Sequence, residues 1–523
     1  MSLPEEFDVD LSRRKLAAYA VGALIVAIIE LPAVQSFGYR LLFGTPSVVQ
    51  WGLVSVVVAA VAWYRDSDVL LLVAVGVFVV LGLVVGPVAS GVYAHSQVAD
   101  RMQRDATQLD TLPNTSQRNV RVLPRSVSDN YAQSSMQYPQ YRLTESDITY
   151  RNGTYTWSHG LVPDNFLVSL FGHQRGAMYV DMTTTRKSVS LEDTEYRYGR
   201  GQRFFDAYAY RSVLHAPLKL HDWETTFNAQ ADGTSYIAHS TTAYRWRFRA
   251  FPLPQLYAVP HHASVEVMRP NGHIRSLSPQ EAATSPLLRG QNVYPYHLAR
   301  FKVESMQYVH GVLNKWFWKE DVLAVADLPE AGNQWPLVVP TAGREPELTY
   351  FVATEPAGSG NGVYEVWTFD GQTGAAGVQR YSEAQIGPQK AVDFVARRPQ
   401  VNRLSNADAV APVPIVRDGT LYWHVKVVSK SRSGVVYTAF VNAESGDVTV
   451  LDGTKPIYAF LNESAVEKLR NRTERRSGDT TVRVVVTNAD GEIVGTQNVT
   501  VPDGGDVQIS INDTSNATAR AGG

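Results

Sequence analysis

The sequence predicts three N-terminal transmembrane α-helices, then α+β extracytoplasmic modules, then a small C-terminal all-β element. Each module is expected to be a helix packed on a curved antiparallel sheet, and the module is expected in duplicate. Three observations lead there. Three long apolar runs precede His95. From Val120 onward, short stretches alternate apolar and polar residues between Gly, Asn and Asp turns, as antiparallel strands do. One such pattern, x-Gly-Thr-x-x-Trp, occurs twice.

The apolar runs are Leu16 to Gln35, Pro46 to Tyr64 and Val69 to Val92. Each reaches the ~20 residues needed to cross ~30 Å of hydrocarbon. Arg13, Arg14 and Lys15 precede the first and Arg65 lies between the second and third. Basic residues mark the cytoplasmic side, so the N-terminus is expected in the cytoplasm and everything after the third span outside it. Arg40 is the one basic residue on the wrong side. Ser12-Arg13-Arg14 has the look of a twin-arginine export signal, but two further spans follow and no small-residue cleavage site appears, so an anchor is the better reading. Glu30 stands near the outer end of the first run beside Pro32, without the second ionisable partner that ion transport needs. Gly82 and Gly86 form a small-xxx-small pair that lets two helices approach closely.

Composition excludes several classes. With 48 basic and 50 acidic residues the net charge is −2, so no basic array tracks a nucleic acid. There is no cysteine; disulfides, Cys-ligated zinc, iron–sulfur clusters and thiol nucleophiles are ruled out.

The expected organisation is a cytoplasmic N-terminus with three spans (1–95), a stalk (96–118), a first module (119–200), a β-rich middle with an amphipathic helix (201–330), a second module region (331–460) and a β/tail segment (461–523). The modules rest on the repeat. Asn152-Gly153-Thr154-Tyr155-Thr156-Trp157 matches Asp418-Gly419-Thr420-Leu421-Tyr422-Trp423. Downstream, Gly176-Ala177-Met178-Tyr179-Val180 parallels Gly434-Val435-Val436-Tyr437-Thr438, and upstream lie expected helices at Arg125–Gln133 and Gln389–Arg397. Hairpins at Val265–Leu277 and Tyr364–Tyr381 look like partial copies. An apolar stripe of Leu298, Phe301, Tyr308, Val309, Val312, Leu313 and Trp316 predicts one helix over Tyr296–Lys319. Ser278-Pro279-Gln280-Glu281 has the residues of a capping box with Pro at the first helical position. Ala465 to Arg475 reads as a short basic helix and Thr480–Ile511 as a strand pair or sandwich fragment.

The segment from Tyr422 to Leu451 carries a family resemblance. Trp423-His424-Val425-Lys426-Val427 leads to Tyr437-Thr438-Ala439-Phe440-Val441-Asn442-Ala443, which turns through Glu444-Ser445-Gly446 into Asp447-Val448-Thr449-Val450. This resembles the strand–(Asp/Asn)-x-x-(Ser/Thr)-Gly–strand signature of the PepSY module. The resemblance implies a small α+β fold outside the membrane, acting as a protease propeptide or a regulatory, protein-binding element. It carries no catalytic residue and no cofactor, and no peptidase domain is attached here.

Asn-x-Ser/Thr glycan acceptor patterns begin at Asn114, Asn152, Asn462, Asn471, Asn498, Asn512 and Asn516. All follow the third span, as acceptors on an external surface must.

Among chemistry-bearing residues, His215, His221, Asp222 and Glu224 form the densest group of metal-ligand types. On one strand, His215 and His221 would stand ~20 Å apart, and only a turn at Pro217 could bring them together. His261 and His262 are adjacent and face opposite sides of a strand. Gly358-Ser359-Gly360-Asn361-Gly362 lacks the Lys-Ser/Thr of a phosphate loop. Trp316-Phe317-Trp318 and the Tyr-rich stretch Tyr196–Tyr257 are candidate binding aromatics. With no catalytic, cofactor or metal constellation, the expected function is a membrane-anchored interaction or regulatory protein of the cell surface. Its expected partners are the membrane, envelope or surface proteins and further copies of itself. A structural component of a surface, virion or secretion assembly, and a metal-dependent envelope hydrolase using the His215 group, are the other readings.

Overall fold

A computed structural model describes residues 21–22, 26, 28, 30–231, 233–329, 334–343, 346–358, 362–462, 480–487 and 493–501. The chain divides into two compact units between Tyr458 and Ala459.

The first unit begins with helix α1 (Leu31–Tyr39), which ends in a π turn at Arg40–Gly44. Helices α2 (Pro46–Tyr64) and α3 (Asp68–Asp105) are long and apolar enough to cross a membrane. The sequence predicts three spans; two are found among the described residues, because half of Leu16–Gln35 falls outside them. Ser67 caps α3 by accepting the Leu70 N–H. Near the far end of the pair, a Cβ on Gly86 would lie 3.1 Å from the Trp51 ring and 3.2 Å from Ser47 Cβ. The glycine therefore sets how closely α2 and α3 approach, as the small-residue pair predicts.

Residues 96–118 are packed rather than stalk-like. The last part of α3 buries Tyr93, Ala94, Val98, Ala99 and Met102, an apolar stripe at helical spacing hidden in a polar-looking segment. Beyond it, Thr107–Gln108 pairs in parallel with the strand at Ala376–Ile386, Leu112 is buried and Thr115 bridges to Thr341.

Helix followed by antiparallel meander then recurs. Helix α4 (Arg125–Gln133) leads into β1 (Asp147–Arg151), β2 (Thr154–Pro163), β3 (Gln174–Asp181) and β4 (Val189–Tyr196), paired in that order. Helix α5 (Tyr208–His215) leads into β5 (Leu220–Ala231), β6 (Thr234–Arg249), β7 (Gln255–Met268) and β8 (Ile274–Leu277). Helix α6 (Tyr296–Ser305) precedes β9 (Leu337–Pro340), β10 (Leu348–Pro356), β11 (Gly362–Asp370) and β12 (Ala376–Ile386). Helix α7 (Pro388–Ala396) leads into β13 (Ala407–Arg417), β14 (Thr420–Ser429), β15 (Val435–Asn442) and β16 (Val448–Leu451). The two hairpins read as partial copies are parts of the second and third meanders. One buried core joins α3 with the first, third and fourth sheets and takes in Tyr257 and Val259 from β7 of the second. The second sheet closes its own core around Phe227, Tyr236, Val265 and Val267.

Two sequence expectations shift. The helix at Tyr296 stops at Ser305 instead of running to Lys319; the chain tightens into a 3-10 turn at Met306–Tyr308, and Gly311 then turns it at φ +86° with its N–H on the Tyr308 carbonyl. The parallel drawn between Gly176–Val180 and Gly434–Thr438 is out of register by three residues. Trp157 stands opposite Val180, whereas Trp423 stands opposite Val441; bulges at Gly176 and Val436 sit at different points of their strands. The capping box forms as expected at Ser278 and Glu281.

In the second unit, β17 (Thr480–Thr487) and β18 (Ile493–Val501) pair antiparallel. The expected basic helix and the strand at Asp506–Ile511 lie outside the described residues.

Candidate binding cleft

Six stretches distant in sequence converge between the first and second meanders and α6. Arg121 and Arg125 come from the entry to α4, Asp147 and Trp157 from β1 and β2, Arg200 from the loop after β4. Trp223 and Glu224 come from β5, Tyr296 from the first turn of α6 and Trp335 from the approach to β9. Together they line a cavity of about 100 Å³. Such a space holds a few waters or one small polar group.

The floor is charged and mostly buried. The Arg121 guanidinium lies 4.9 Å from the Trp157 ring and donates to the Val338 carbonyl at 3.1 Å. Burial lowers its pKa to about 10, which leaves it charged at neutral pH. Arg125 Nε donates to Ser146 Oγ at 3.1 Å and its Nη2 stands 3.5 Å from Glu145. Arg200 Nη1 donates to the Thr226 carbonyl at 3.3 Å.

Asp147 faces these arginines. Its Oδ1 accepts from the Ile148 N–H at 2.7 Å, Tyr296 OH at 3.0 Å and Asn292 Nδ2 at 3.1 Å. Its Oδ2 is buried and has no hydrogen-bond partner among the described residues. Burial pushes the carboxyl up to about 6, against the hydrogen bonds and the charge of Arg125, which favour the anion. A cleft carboxyl shifted by desolvation beside specific charges marks a candidate functional site. The pair of chemistries is complementary: guanidinium forks donate to a carboxylate or carbonyl, and Asp147 accepts from, or when protonated donates to, a neighbouring group. Sequence reasoning missed this site because no two of its charged residues form a motif.

A Ser–His–Asp sequence of contacts lies nearby. Ser128 Oγ is 3.0 Å from His159 Nε2, and His159 Nδ1 is 3.7 Å from Asp129. Ser128 and His159 are sealed in the core. Burial lowers the imidazole pKa to about 3, too weak for a general base. The contact is structural.

The residues flagged as metal ligands do not converge. His215 Nε2 meets Ser276 Oγ at 3.2 Å, His221 bonds His239 at 2.8 Å, Asp222 pairs with His297 at 3.0 Å and Glu224 with Arg300 at 2.6 Å. Side chains of β5 alternate between its two faces, which separates neighbours that the sequence lists side by side. Among the described residues no group of three or more His, Asp or Glu could hold a metal ion. His261 and His262 sit on β7; Gly358–Gly362 joins β10 to β11, with residues 359–361 outside the described set. Trp316, Phe317 and Trp318 are exposed, on a π turn. Of the acceptor asparagines, Asn114 and Asn152 are exposed, Asn462 is half-buried and Asn498 lies on β18. Asn471, Asn512 and Asn516 lie outside the described residues.

No family model, curated protein or solved structure matches this chain.

Proposed function

We propose that the chain is a membrane-anchored binding protein whose external body, built from repeated PepSY-like modules, takes a polar group of a neighbouring envelope protein into the cleft at Asp147. The carrying observation is the buried, unpartnered Oδ2 of Asp147 beside Arg121, Arg125 and Arg200. A buried polar atom without a partner is costly, and a ligand that donates to Asp147 while accepting from the arginines removes that cost. The group that fits is small and carries both functions, such as a side-chain amide or the main chain of an extended peptide. Trp157, Trp223 and Trp335 supply aromatic walls of the kind that anchor protein partners.

The anchoring reading rests on α2 and α3. The turn Arg65–Ser67 joins them at one end, and the folded body packs at the other, where β7 meets both helices. With Arg65 on the cytoplasmic side, the body stands outside. The module reading is supported by the shared helix-then-meander order and the matching Trp positions.

The test is site-specific photo-crosslinking in native cells from Glu145, at the rim of the cleft. A discrete crosslinked species is expected, and both Asp147→Asn and Arg200→Gln are expected to remove it while the purified variants keep the parent circular dichroism spectrum. A crosslink that survives both substitutions overturns the cleft as the binding site.

A further inference from the structure

We propose that the β6–β7 hairpin is a second membrane contact: its tip inserts aromatic side chains at the outer bilayer boundary and binds anionic lipid headgroups through three arginines. This rests on the reading that α2 and α3 span the membrane.

The tip sequence runs Tyr244-Arg245-Trp246-Arg247-Phe248-Arg249-Ala250-Phe251. Strand periodicity puts Tyr244, Trp246 and Phe248 on one face of β6 and the arginines on the other. In a soluble setting this tip is ill-suited to water. Trp246 is 44%, Phe248 60% and Phe251 80% exposed. The three arginines are also exposed, and from Ala243 to Val265 there is no Asp or Glu to balance them.

The tip is bolted to the helices at the level where they leave the hydrocarbon. Gln50 Nε2 donates to the Pro254 carbonyl at 3.0 Å and its Oε1 accepts the Leu256 N–H at 2.6 Å. Trp51 Nε1 reaches Gln255 Oε1 at 3.4 Å, and Gln255 donates to the Gly86 carbonyl. The Trp246 indole N–H donates to the Phe43 carbonyl at 2.9 Å. From Asp68 at the opposite end of α3, Gly86 is eighteen residues on, a rise of about 25 Å, because the stretch Phe78–Val85 is wound as a π-helix and climbs less per residue than the ~1.5 Å of an α-helix. A hydrocarbon core of ~30 Å whose inner edge lies at Asp68 therefore has its outer edge at the hairpin. Aromatic rings belong at that depth, and arginine stems lie along apolar surface while their heads reach phosphate.

The experiment uses the full chain, which has no cysteine, with an environment-sensitive probe on Phe248→Cys or Val56→Cys. Each is reconstituted in vesicles of phosphatidylcholine alone or mixed with phosphatidylglycerol and challenged with aqueous iodide. The Phe248 probe should be blue-shifted and protected in the mixed vesicles, less so in phosphatidylcholine alone. With Arg245, Arg247 and Arg249 all changed to Gln, that difference should be lost. Free iodide access to the Phe248 probe in the mixed vesicles overturns the insertion. Equal protection in the two compositions overturns the anionic headgroup as ligand, as does an unchanged result with the triple variant. Protection that persists in detergent and grows with protein concentration assigns the tip to a second copy and also overturns the proposal. The Val56 probe separates the underlying reading: if it is also open to iodide, the membrane span itself fails, whereas protection at Val56 without protection at Phe248 rejects the hairpin contact alone.

Discussion

Trp157 and Trp423 hold the same place in two different sheets. Each lies on the second strand of its meander, four residues after the turn glycine, Gly153 or Gly419. Each donates its indole N–H to the carbonyl two residues before the leading helix: Trp157 to Leu123 at 3.0 Å, Trp423 to Ile386 at 2.6 Å. The ring therefore pins the helix entry to the sheet. Both turns use the same backbone, with φ of +50° and +85° at Asn152-Gly153 and +50° and +79° at Asp418-Gly419, the paired left-handed residues that suit a tight hairpin.

This geometry predicts a graded response. Replacing either Trp by Ala should cost about 3–5 kcal/mol through lost packing. Replacing it by Phe should keep most of the packing and cost about 1–3 kcal/mol through the carbonyl left unpaired. Chemical denaturation of the detergent-solubilised chain checks this; equal losses for Phe and Ala at both positions would reject the helix-pinning role.

Asp147 predicts a pH effect of unusual sign for a carboxylate. Its folded pKa is raised from 3.8 to about 6, so the native state holds the proton more tightly than the unfolded state. Its contribution is fully present below pH 3.8 and is lost as pH rises through about 6. Asp147→Asn should therefore melt higher than the parent near neutral pH, by up to about 3 kcal/mol, and the gap should close under acid. A gap that widens under acid contradicts the assignment.

The buried histidines act oppositely. Burial lowers His159 to about 3 and His221 to about 4 from 6.5. Their contribution is present above pH 6.5 and is lost as pH falls toward those values, worth about 3 kcal/mol for His221 alone. The melting temperature should fall between about pH 8 and about pH 5, and His221→Gln should flatten that fall. A slope unchanged by the substitution removes His221 from the account.

Topology can be read with single cysteines and a membrane-impermeant thiol reagent on intact cells. Ser431→Cys, exposed in the turn after β14, should label, and Ser12→Cys should label only after lysis. The reverse pattern places the body in the cytoplasm.

Local chemistry made much of this chain legible before its fold. The helix at Arg125–Gln133 follows its expected bounds and the one at Pro388–Ala396 is displaced by a single residue. The capping box at Ser278 and the two Gly turns likewise need only neighbours a few residues apart, and hydrophobic periodicity registers them directly. The polar surface of α3 beyond the apolar run disguised its buried stripe, because that stripe has meaning only once β7 and α6 lie against it.

The sequence by itself determined the apolar helices, the antiparallel strands with their turns, and the matching Trp positions, all of which depend on spacing along the chain. Only the tertiary structure decided that Arg121, Asp147, Arg200 and Tyr296 share a cleft, that the flagged histidines and carboxylates turn to different partners, and that the β6–β7 tip reaches Gln50 and Gly86. Those relations join residues tens to hundreds of positions apart. They arise from how sheets stack and which strand face each side chain occupies, a choice that one residue of register or one bulge reverses.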